Sequence, residues 1–107
     1  MPANDEEHGT AAALTGIDRI IHEPARLSIL AVLLALETAD FVFLQKQTEL
    51  SRGNLSSHLS KLEGAGYVDI AKEFVAKVPR TLVRLTDVGR KAVATYRAQM
   101  DQFLANL

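Results

Sequence analysis

The side chains in this sequence that could do chemistry are concentrated just past the middle of the chain. Ser57, Ser60 and Lys61, flanked by Asn54 and His58, bring hydrogen-bond donors, acceptors and a positive charge to a short stretch. Two kinds of chemistry use such side chains: catalysis by a serine beside a histidine, and recognition of a polar polymer by hydrogen bonds. Adjacent residues on a helix do not face each other, which argues against a Ser57–His58 pair. Recognition is therefore the better hypothesis.

A helix is predicted to carry these side chains on one face. Leu55, Leu59 and Leu62 recur at i, i+4 and i+7, and a step of about 100° per residue places them on one stripe. Ser51 can cap the N-terminus of this helix, and Gly66 can end it in the left-handed conformation. The polar side chains then lie on the opposite face, which suits the major groove of DNA. A surface helix of a small mixed domain is the alternative.

Other reactive motifs are missing from the sequence. Residues 22–26 begin like a zinc-protease His-Glu-x-x-His motif, but Arg26 stands where the second histidine should be. No phosphate-binding loop or serine elbow is present. There is no cysteine, and His8, His22 and His58 are far apart in the chain. We therefore expect no enzyme activity, no metal site and no cofactor.

Length and composition limit the architecture. The 107 residues, 48% hydrophobic and 23% charged, suit a single globular domain. The longest apolar run, residues 29–36, is far too short to span a bilayer, and no signal peptide is recognisable. We therefore expect a cytoplasmic protein without membrane contact.

Charge is distributed unevenly along the chain, although the net charge is only −1. Residues 1–50 contain eight acidic and three basic side chains, whereas residues 51–107 contain five acidic and nine basic ones. The positive half begins at the predicted polar helix. Such asymmetry is typical of an electrostatic footprint on DNA.

The patterns upstream of the polar helix predict a mainly α fold. We expect a disordered tail over residues 1–13, then a short helix with a capping box over residues 15–21. A strongly apolar helix should cover residues 24–37. Its stripe at Leu27, Leu30, Ala31, Leu34 and Ala35 is widened by Ile29, Val32, Leu33 and Leu36, so we expect burial on most sides, within the domain or against a partner. A very short strand at Phe41 and Val42 and a helix over residues 43–50 should follow.

A small β-hairpin is expected downstream of the polar helix. Its strands should cover residues 67–73 and 81–85, joined by an open loop. Lys77 and Arg80 give the loop a basic tip, and Pro79 suits a loop because it cannot donate to a central ladder. A basic hairpin after a polar helix has the form of a DNA-binding wing. A solvated hairpin whose charges prevent edge aggregation would have the same pattern.

The C-terminal helix should begin after a cap at Thr86 and Asp87. It carries an apolar seam at spacings of 3, 4, 3 and 4, which could pair with its copy in a second chain or pack within one subunit. We favour dimerisation. The seam residues are Val93, Tyr96, Met100, Phe103 and Leu107.

Residues 50–68 resemble the signature of winged helix-turn-helix regulators of the MarR/ArsR type, in particular a small stand-alone subgroup. The motifs that carry the resemblance are Gly-Asn-Leu-Ser-x-His-Leu at residues 53–59 and Leu-Thr-x-x-Gly-Arg at residues 85–90. Further matches lie at residues 22–27 and in the hairpin. The resemblance implies a winged helix-turn-helix domain over residues 14–85 and a C-terminal dimerisation helix over residues 86–107.

The same resemblance implies a homodimeric transcription regulator that binds operator DNA. The DNA contacts that it assigns are Arg52, Asn54, Ser57, His58, Lys61, Lys77 and Arg80. Asn54 can pair with adenine, Arg52 with guanine or phosphate, and the lysines with phosphate, whereas a structural role suits His58 equally well. A small-molecule effector is compatible with the resemblance, but no residue argues for one. The alternative function is a winged-helix module that binds a protein partner.

Overall fold

The computed structural model describes residues 14–107 as four helices and a three-stranded antiparallel sheet. The predicted tail over residues 1–13, with His8, lies outside the described residues. The fold is the expected α+β winged helix, mainly helical with a hairpin. In chain order its elements are α1 (Pro24–Leu36), β1 (Thr38–Asp40), α2 (Phe41–Thr48), α3 (Arg52–Gly64), β2 (Val68–Val75), β3 (Val78–Leu85) and α4 (Asp87–Ala105).

The helix expected over residues 15–21 does not form, and residues 14–23 run instead as a series of turns. The Asp18 carboxylate accepts hydrogen bonds from the backbone N–H groups of Ile20 and Ile21, at 2.9 and 3.2 Å. These bonds close a local turn that competes with a helix. Ile17 and Ile21 are nevertheless buried, so the segment still contributes to the core.

Helix α1 begins at Pro24, as predicted, because the Glu23 carboxylate caps it by accepting from the Arg26 N–H at 2.7 Å. The predicted burial on most sides is only partly confirmed within the subunit. Ala31, Leu34 and Ala35 are exposed, and the face that packs inward lies to one side of them. Its buried residues, at i, i+3, i+4 and i+7, are Arg26, Ile29, Leu30 and Leu33.

The first strand lies three residues earlier than the sequence predicted. Thr38–Asp40 pairs with β3, whereas Phe41 and Val42 belong to α2. The shift has a local cause, because the Asp40 carboxylate accepts from the Phe43 N–H at 2.8 Å and so starts the helix at Phe41. Strand β1 forms one edge of a sheet in the order β1-β3-β2.

The hairpin that forms the wing is longer and tighter than expected. Its strands extend to Val75 and from Val78, so the predicted open loop is a two-residue turn at Ala76 and Lys77. Both turn residues have positive φ, 52° and 68°, as a type I′ hairpin turn requires. Pro79 fits inside β3 because β1 pairs only with residues 82–84, so no strand lies beside its missing N–H.

Helix α3 has the limits and the buried stripe that the sequence predicted. The Ser51 hydroxyl accepts from the Asn54 N–H at 3.1 Å, and Gly66 lies at φ 81° just beyond the C-terminus. Leu55, Leu59 and Leu62 are at most 1% exposed. They pack in one core with the buried side chains of α1, the sheet and α4.

Helix α4 is attached to the domain by a close approach at Gly89. The Tyr67 carbonyl accepts from the Thr86 N–H at 3.0 Å, and Thr86 caps α4 by accepting from the Gly89 N–H at 2.9 Å. A Cβ atom added at Gly89 would lie 2.2 Å from that carbonyl oxygen. Only glycine therefore allows the first turn of α4 to rest against the start of β2.

We expect Gly89→Ala to lower the free energy of unfolding by about 1–3 kcal/mol, because the Tyr67 backbone must move away from the methyl group. Gly64→Ala is the matched control, since nothing lies within 4 Å of its added Cβ and alanine favours a helix. Urea denaturation followed by circular dichroism would compare the two variants. Equal stability of both variants would contradict the close approach.

Candidate nucleic-acid interface

Helices α2 and α3, joined by a tight turn, form a helix-turn-helix with a polar outer face. Asn54, Ser57 and Lys61 are all exposed on α3, and their spacing places them side by side along the outer face. Small residues separate them, and a Cβ added at Gly53 or Gly64 would meet nothing within 4 Å. The structure thus brings these three predicted contacts together on an unobstructed surface that fits a major groove.

A second row on α3, formed by Arg52, Ser56 and Ser60 at i, i+4 and i+8, borders the wing. Between this row and the sheet lies an open groove of about 280 Å³, which we call the wing-side groove. It is lined by Phe41, Arg52, Ser56, Leu59, Ser60, Ile70, Lys72 and Thr81. Two cations and three hydroxyl groups converge there and no carboxylate does, so the groove can hold an anionic oxygen.

Arg52 is held in place within the wing-side groove. Its guanidinium carbon lies 5.7 Å from the centre of the Phe41 ring, within cation–π distance. Arg52 is also the first residue of α3, at the positive end of the helix dipole. Both features favour an anion close to Arg52.

Lys72 belongs to this surface, although it is not among the contacts predicted from the sequence. Lys72 is exposed and lies on the same face of β2 as Val68 and Ile70, which point toward the helices. The signal was present in the sequence, because alternate residues of a strand share a face. Residues 67–73 had been assigned as a strand, and two-residue periodicity would have placed Lys72 beside the core valine and isoleucine.

The two predicted wing contacts lie in different places. Lys77 is at the tip of the hairpin turn, exposed, and makes no ion pair within residues 14–107. Arg80 lies on the opposite face of the sheet from Lys72, and its guanidinium contacts the Asp40 carboxylate at 3.3 Å. Arg80 therefore has a partner within the chain, whereas Lys77 is available to a ligand.

His58 faces α1 and not the exposed side of α3. Its Nδ1 lies 3.1 Å from an Arg26 guanidinium nitrogen, and since arginine can only donate, the Nδ1 atom accepts. The Nε of Arg26 donates to the Ile20 carbonyl at 2.6 Å. Glu23 lies 4.0 Å from the same His58 nitrogen. This arrangement supports the structural role for His58 and adds Arg26, at 9% exposure, as the residue that joins α1 to α3.

Hydrogen bonds hold the turn segment before α1 against the rest of the domain. The hydrogen bond from the Arg26 backbone N–H lowers the pKa of the Glu23 carboxyl group. The Tyr67 hydroxyl donates to the Asp18 carboxylate, and this bond raises the pKa of Tyr67 to about 12. The Tyr96 hydroxyl lies 2.8 Å from His22 Nδ1. The two tyrosine contacts attach residues 18–23 to the start of the hairpin and to α4.

The seam predicted for dimerisation is divided in the structure. Tyr96 is 8% exposed, and Val93 and Met100 pack against the same core, so this half of the seam serves the subunit itself. Toward the C-terminus Phe103 is half-buried and Leu107 is 82% exposed. Uncovered apolar side chains therefore remain near the C-terminus, at Leu104 and Leu107, and Val88 in the first turn of α4 is exposed as well.

The described part of the chain offers neither a metal site nor a membrane-spanning helix. Among residues 14–107, no group of three or more His, Cys, Asp or Glu side chains is placed to bind a metal ion. In the same range no helix has the length and apolar character needed to cross a membrane.

A helix-turn-helix followed by a two-stranded wing on a three-stranded sheet defines a winged-helix domain. Residues 25–104 match the family described as "Winged helix DNA-binding domain", and the chain belongs to this family. The predicted resemblance to winged-helix transcriptional regulators is confirmed. This family and fold are those of transcriptional regulators, which are not enzymes.

Three comparisons give the extent of the similarity. An uncharacterized protein of Methanocaldococcus jannaschii is 34% identical over 89 residues, which are 83% of this chain and 97% of that protein. A transcriptional regulator homologue from Pyrococcus horikoshii OT3 has 30% identity and a TM-score of 0.81, covering 92% of this chain and 96% of its own. The repressor CouR, solved bound to a 23-mer DNA duplex, has 20% identity and a TM-score of 0.70, covering 94% and 70%, and shows the shared fold.

The contact between His58 and Arg26 generates a stability prediction. We expect His58→Ala to lower the free energy of unfolding by about 1–3 kcal/mol, because it leaves a buried guanidinium N–H without an acceptor. Ser57→Ala, one residue away on the exposed face, should change it by less than about 0.5 kcal/mol. Thermal denaturation of both variants measures the difference. If His58→Ala were as stable as Ser57→Ala, the structural role would be wrong and base or phosphate contact would regain priority.

Proposed function

We propose that this chain is a sequence-specific transcription regulator that binds operator DNA as a homodimer. The observation that carries the proposal is the outer surface of α3 and the wing. Within residues 14–107 the cations Arg52, Lys61, Lys72 and Lys77 of this surface form no ion pair, and they surround the exposed side chains of Asn54 and Ser57. Cations without carboxylate partners favour a polyanion.

The N-terminal half of α3 is the part that reads bases in this proposal. Asn54 can form two hydrogen bonds with adenine, and Ser57 can donate or accept at either base pair. Lys61, about two turns further along the helix, then anchors a phosphate. The wing-side groove holds a second phosphate between Arg52 and Lys72, and this contact fixes how deeply α3 enters the major groove.

The wing contributes at its tip. Lys77 reaches the DNA backbone or a narrow minor groove beside the site that α3 occupies. Arg80 contributes less than the sequence suggested, because its ion pair with Asp40 already offsets part of its positive charge.

The uncovered apolar side chains near the C-terminus support the homodimer. Leu104 and Leu107 are 54% and 82% exposed, and a second copy of the helix would cover them. Two α3 helices related by a two-fold axis would then read half-sites about 34 Å apart. The domain over residues 14–85 would bind DNA, while α4 would serve both its own subunit and the partner. A cytoplasmic location, and any effector, stay predictions from the sequence.

The decisive experiment selects bound genomic fragments and titrates salt on the best duplex and on a scrambled one. We expect steeply salt-dependent binding, with preference for the selected duplex.

Asn54→Ala should lose about 1–3 kcal/mol of discrimination at one base pair. Lys72→Gln should weaken both duplexes alike and reduce the salt slope by about 1. A wild-type chain that binds no duplex at low salt, yet retains a protein partner on pull-down, would favour the interaction-module alternative.

Because Lys77 lies in a strained turn, one substitution can separate its effect on DNA affinity from its effect on the free energy of unfolding. Lys77→Gly removes the charge, and it relieves a positive φ of 68°, so the free energy of unfolding should rise by about 1 kcal/mol. DNA affinity should fall on all sequences alike. Ala76→Gly is the matched control, because it relieves φ 52° without changing charge and should keep DNA affinity. If the two variants bind DNA equally, Lys77 does not contact the backbone.

A further inference from the structure

Phe74 is the most conspicuous side chain on the wing that neither folding nor the proposed contacts explain. It is 77% exposed, whereas Phe43 in α2 is only 40% exposed. Keeping a phenylalanine in water forgoes about 1.5–3 kcal/mol of burial. Since the domain obtains nothing from this ring, an apolar site outside the chain is the natural place for it.

The position of Phe74 is set by the strand ladder. It lies four residues beyond Ile70, the last residue of β2 that packs on the core, so the ring is carried about 13 Å outward. Ile70, Lys72 and Phe74 share one face of the strand, the face that borders the wing-side groove. The ring therefore faces the side of the wing on which α3 lies.

The backbone that carries the ring is also stiff. Phe74 pairs with Pro79 across the hairpin, and the two-residue turn one pair further on closes the ladder. Pro79 has a fixed φ and so stiffens the strand opposite the ring. A stiff hairpin places an apolar side chain at small entropic cost, as an inserted wedge requires.

Charge around the ring indicates what covers it. Lys72 lies two residues away on the same face, about 7 Å along the strand, and Lys77 is at the tip. The acidic side chains of β2, Asp69 and Glu73, lie on the opposite face. An apolar ring next to unpaired cations complements a surface that has negative edges and an apolar interior. A DNA groove is such a surface, because stacked bases lie between its phosphates.

We propose that Phe74 is a wedge that the wing inserts into the minor groove, where it partly unstacks one base step. The proposal rests on the proposed DNA-binding function. Apolar side chains inserted in this way kink the duplex, and pyrimidine–purine steps such as TA and CA unstack most readily. Phe74 would thus add preference for such a step at a position where the chain makes no hydrogen bond to a base.

The test uses a duplex recovered by genomic selection, with 2-aminopurine replacing adenine at each TA or CA step beside the half-site. Wild-type protein should raise the fluorescence of one such position, because unstacking relieves quenching. Phe74→Ala should abolish the rise and weaken specific binding about 10- to 100-fold, with an unchanged salt slope because no charge is lost. Phe74→Leu, which keeps an apolar wedge, should retain most of both effects.

Val78→Ala is the matched control, since Val78 is 46% exposed at the same tip but lies on the other face of the hairpin. It should behave as wild type. Thermal denaturation should show all three variants folded, because both side chains are largely exposed. Unstacking and affinity that survive Phe74→Ala would overturn the wedge while leaving the DNA-binding function intact. If Phe74→Ala lost self-association but still bound DNA, the wedge would also be overturned, and a second copy of the chain would be the group that covers the ring. Failure of the wild type to bind any duplex would overturn both proposals.

Discussion

Burial of one stripe of leucines on α3 is the constraint on which the rest of the surface depends. Leu55, Leu59 and Leu62 are almost completely excluded from water, and each contributes about 1.5–3 kcal/mol to the domain. Because their angular spread on the helix is narrow, burying them fixes the rotation of α3 about its axis. That rotation alone decides that Ser57 faces solvent, that Arg52 borders the wing and that His58 faces α1. The reading surface is thus a consequence of core packing.

Rotation does not fix how far α3 lies from α1, and here the polar junction at Arg26 matters. A guanidinium at 9% exposure must satisfy its donors, and it does so on the Ile20 carbonyl and on His58 Nδ1. Hydrogen bonds are more sensitive to distance and direction than apolar contacts are. Leucines therefore set which face of α3 is outside, and Arg26 sets its position. A polar pair inside the core provides positional definition that a further leucine could not.

The sequence predicted the parts of the fold whose causes are local. The cap at Ser51, the leucine period and the stop at Gly66 all lie within α3, and all three were confirmed. Two local hydrogen-bonding choices, at Asp18 and Asp40, escaped prediction, whereas the other misplaced features depend on distant partners. Strand β1 has only three residues and exists through its pairing with β3, more than forty positions later. The partner of His58 lies 32 positions earlier in the chain. The turn at Ala76 and Lys77 lacks the usual glycine or asparagine, so only the closed ladder forces positive φ there. The family resemblance singled out the helix that we propose reads DNA, but it also assigned contacts to His58 and Arg80, for which the structure finds partners inside the chain.

Several departures from ideal folding occur on the proposed DNA side of the molecule, although Glu37 and Glu49 also have positive φ elsewhere in the fold. Two turn residues in left-handed conformations, an aromatic ring left in water and several cations without carboxylate partners all occur in α3 and the wing. Each of them costs stability or provides none, whereas the opposite face of the sheet pairs its charges, as Arg84 with Asp69 shows at 3.0 Å. Local choices that conflict with stability persist where a function requires them. On this surface the exposed Phe74 ring lies next to cations without carboxylate partners. That combination is an argument for a polyanionic ligand that is independent of family likeness, because it would hold for this chain even if no relative were known.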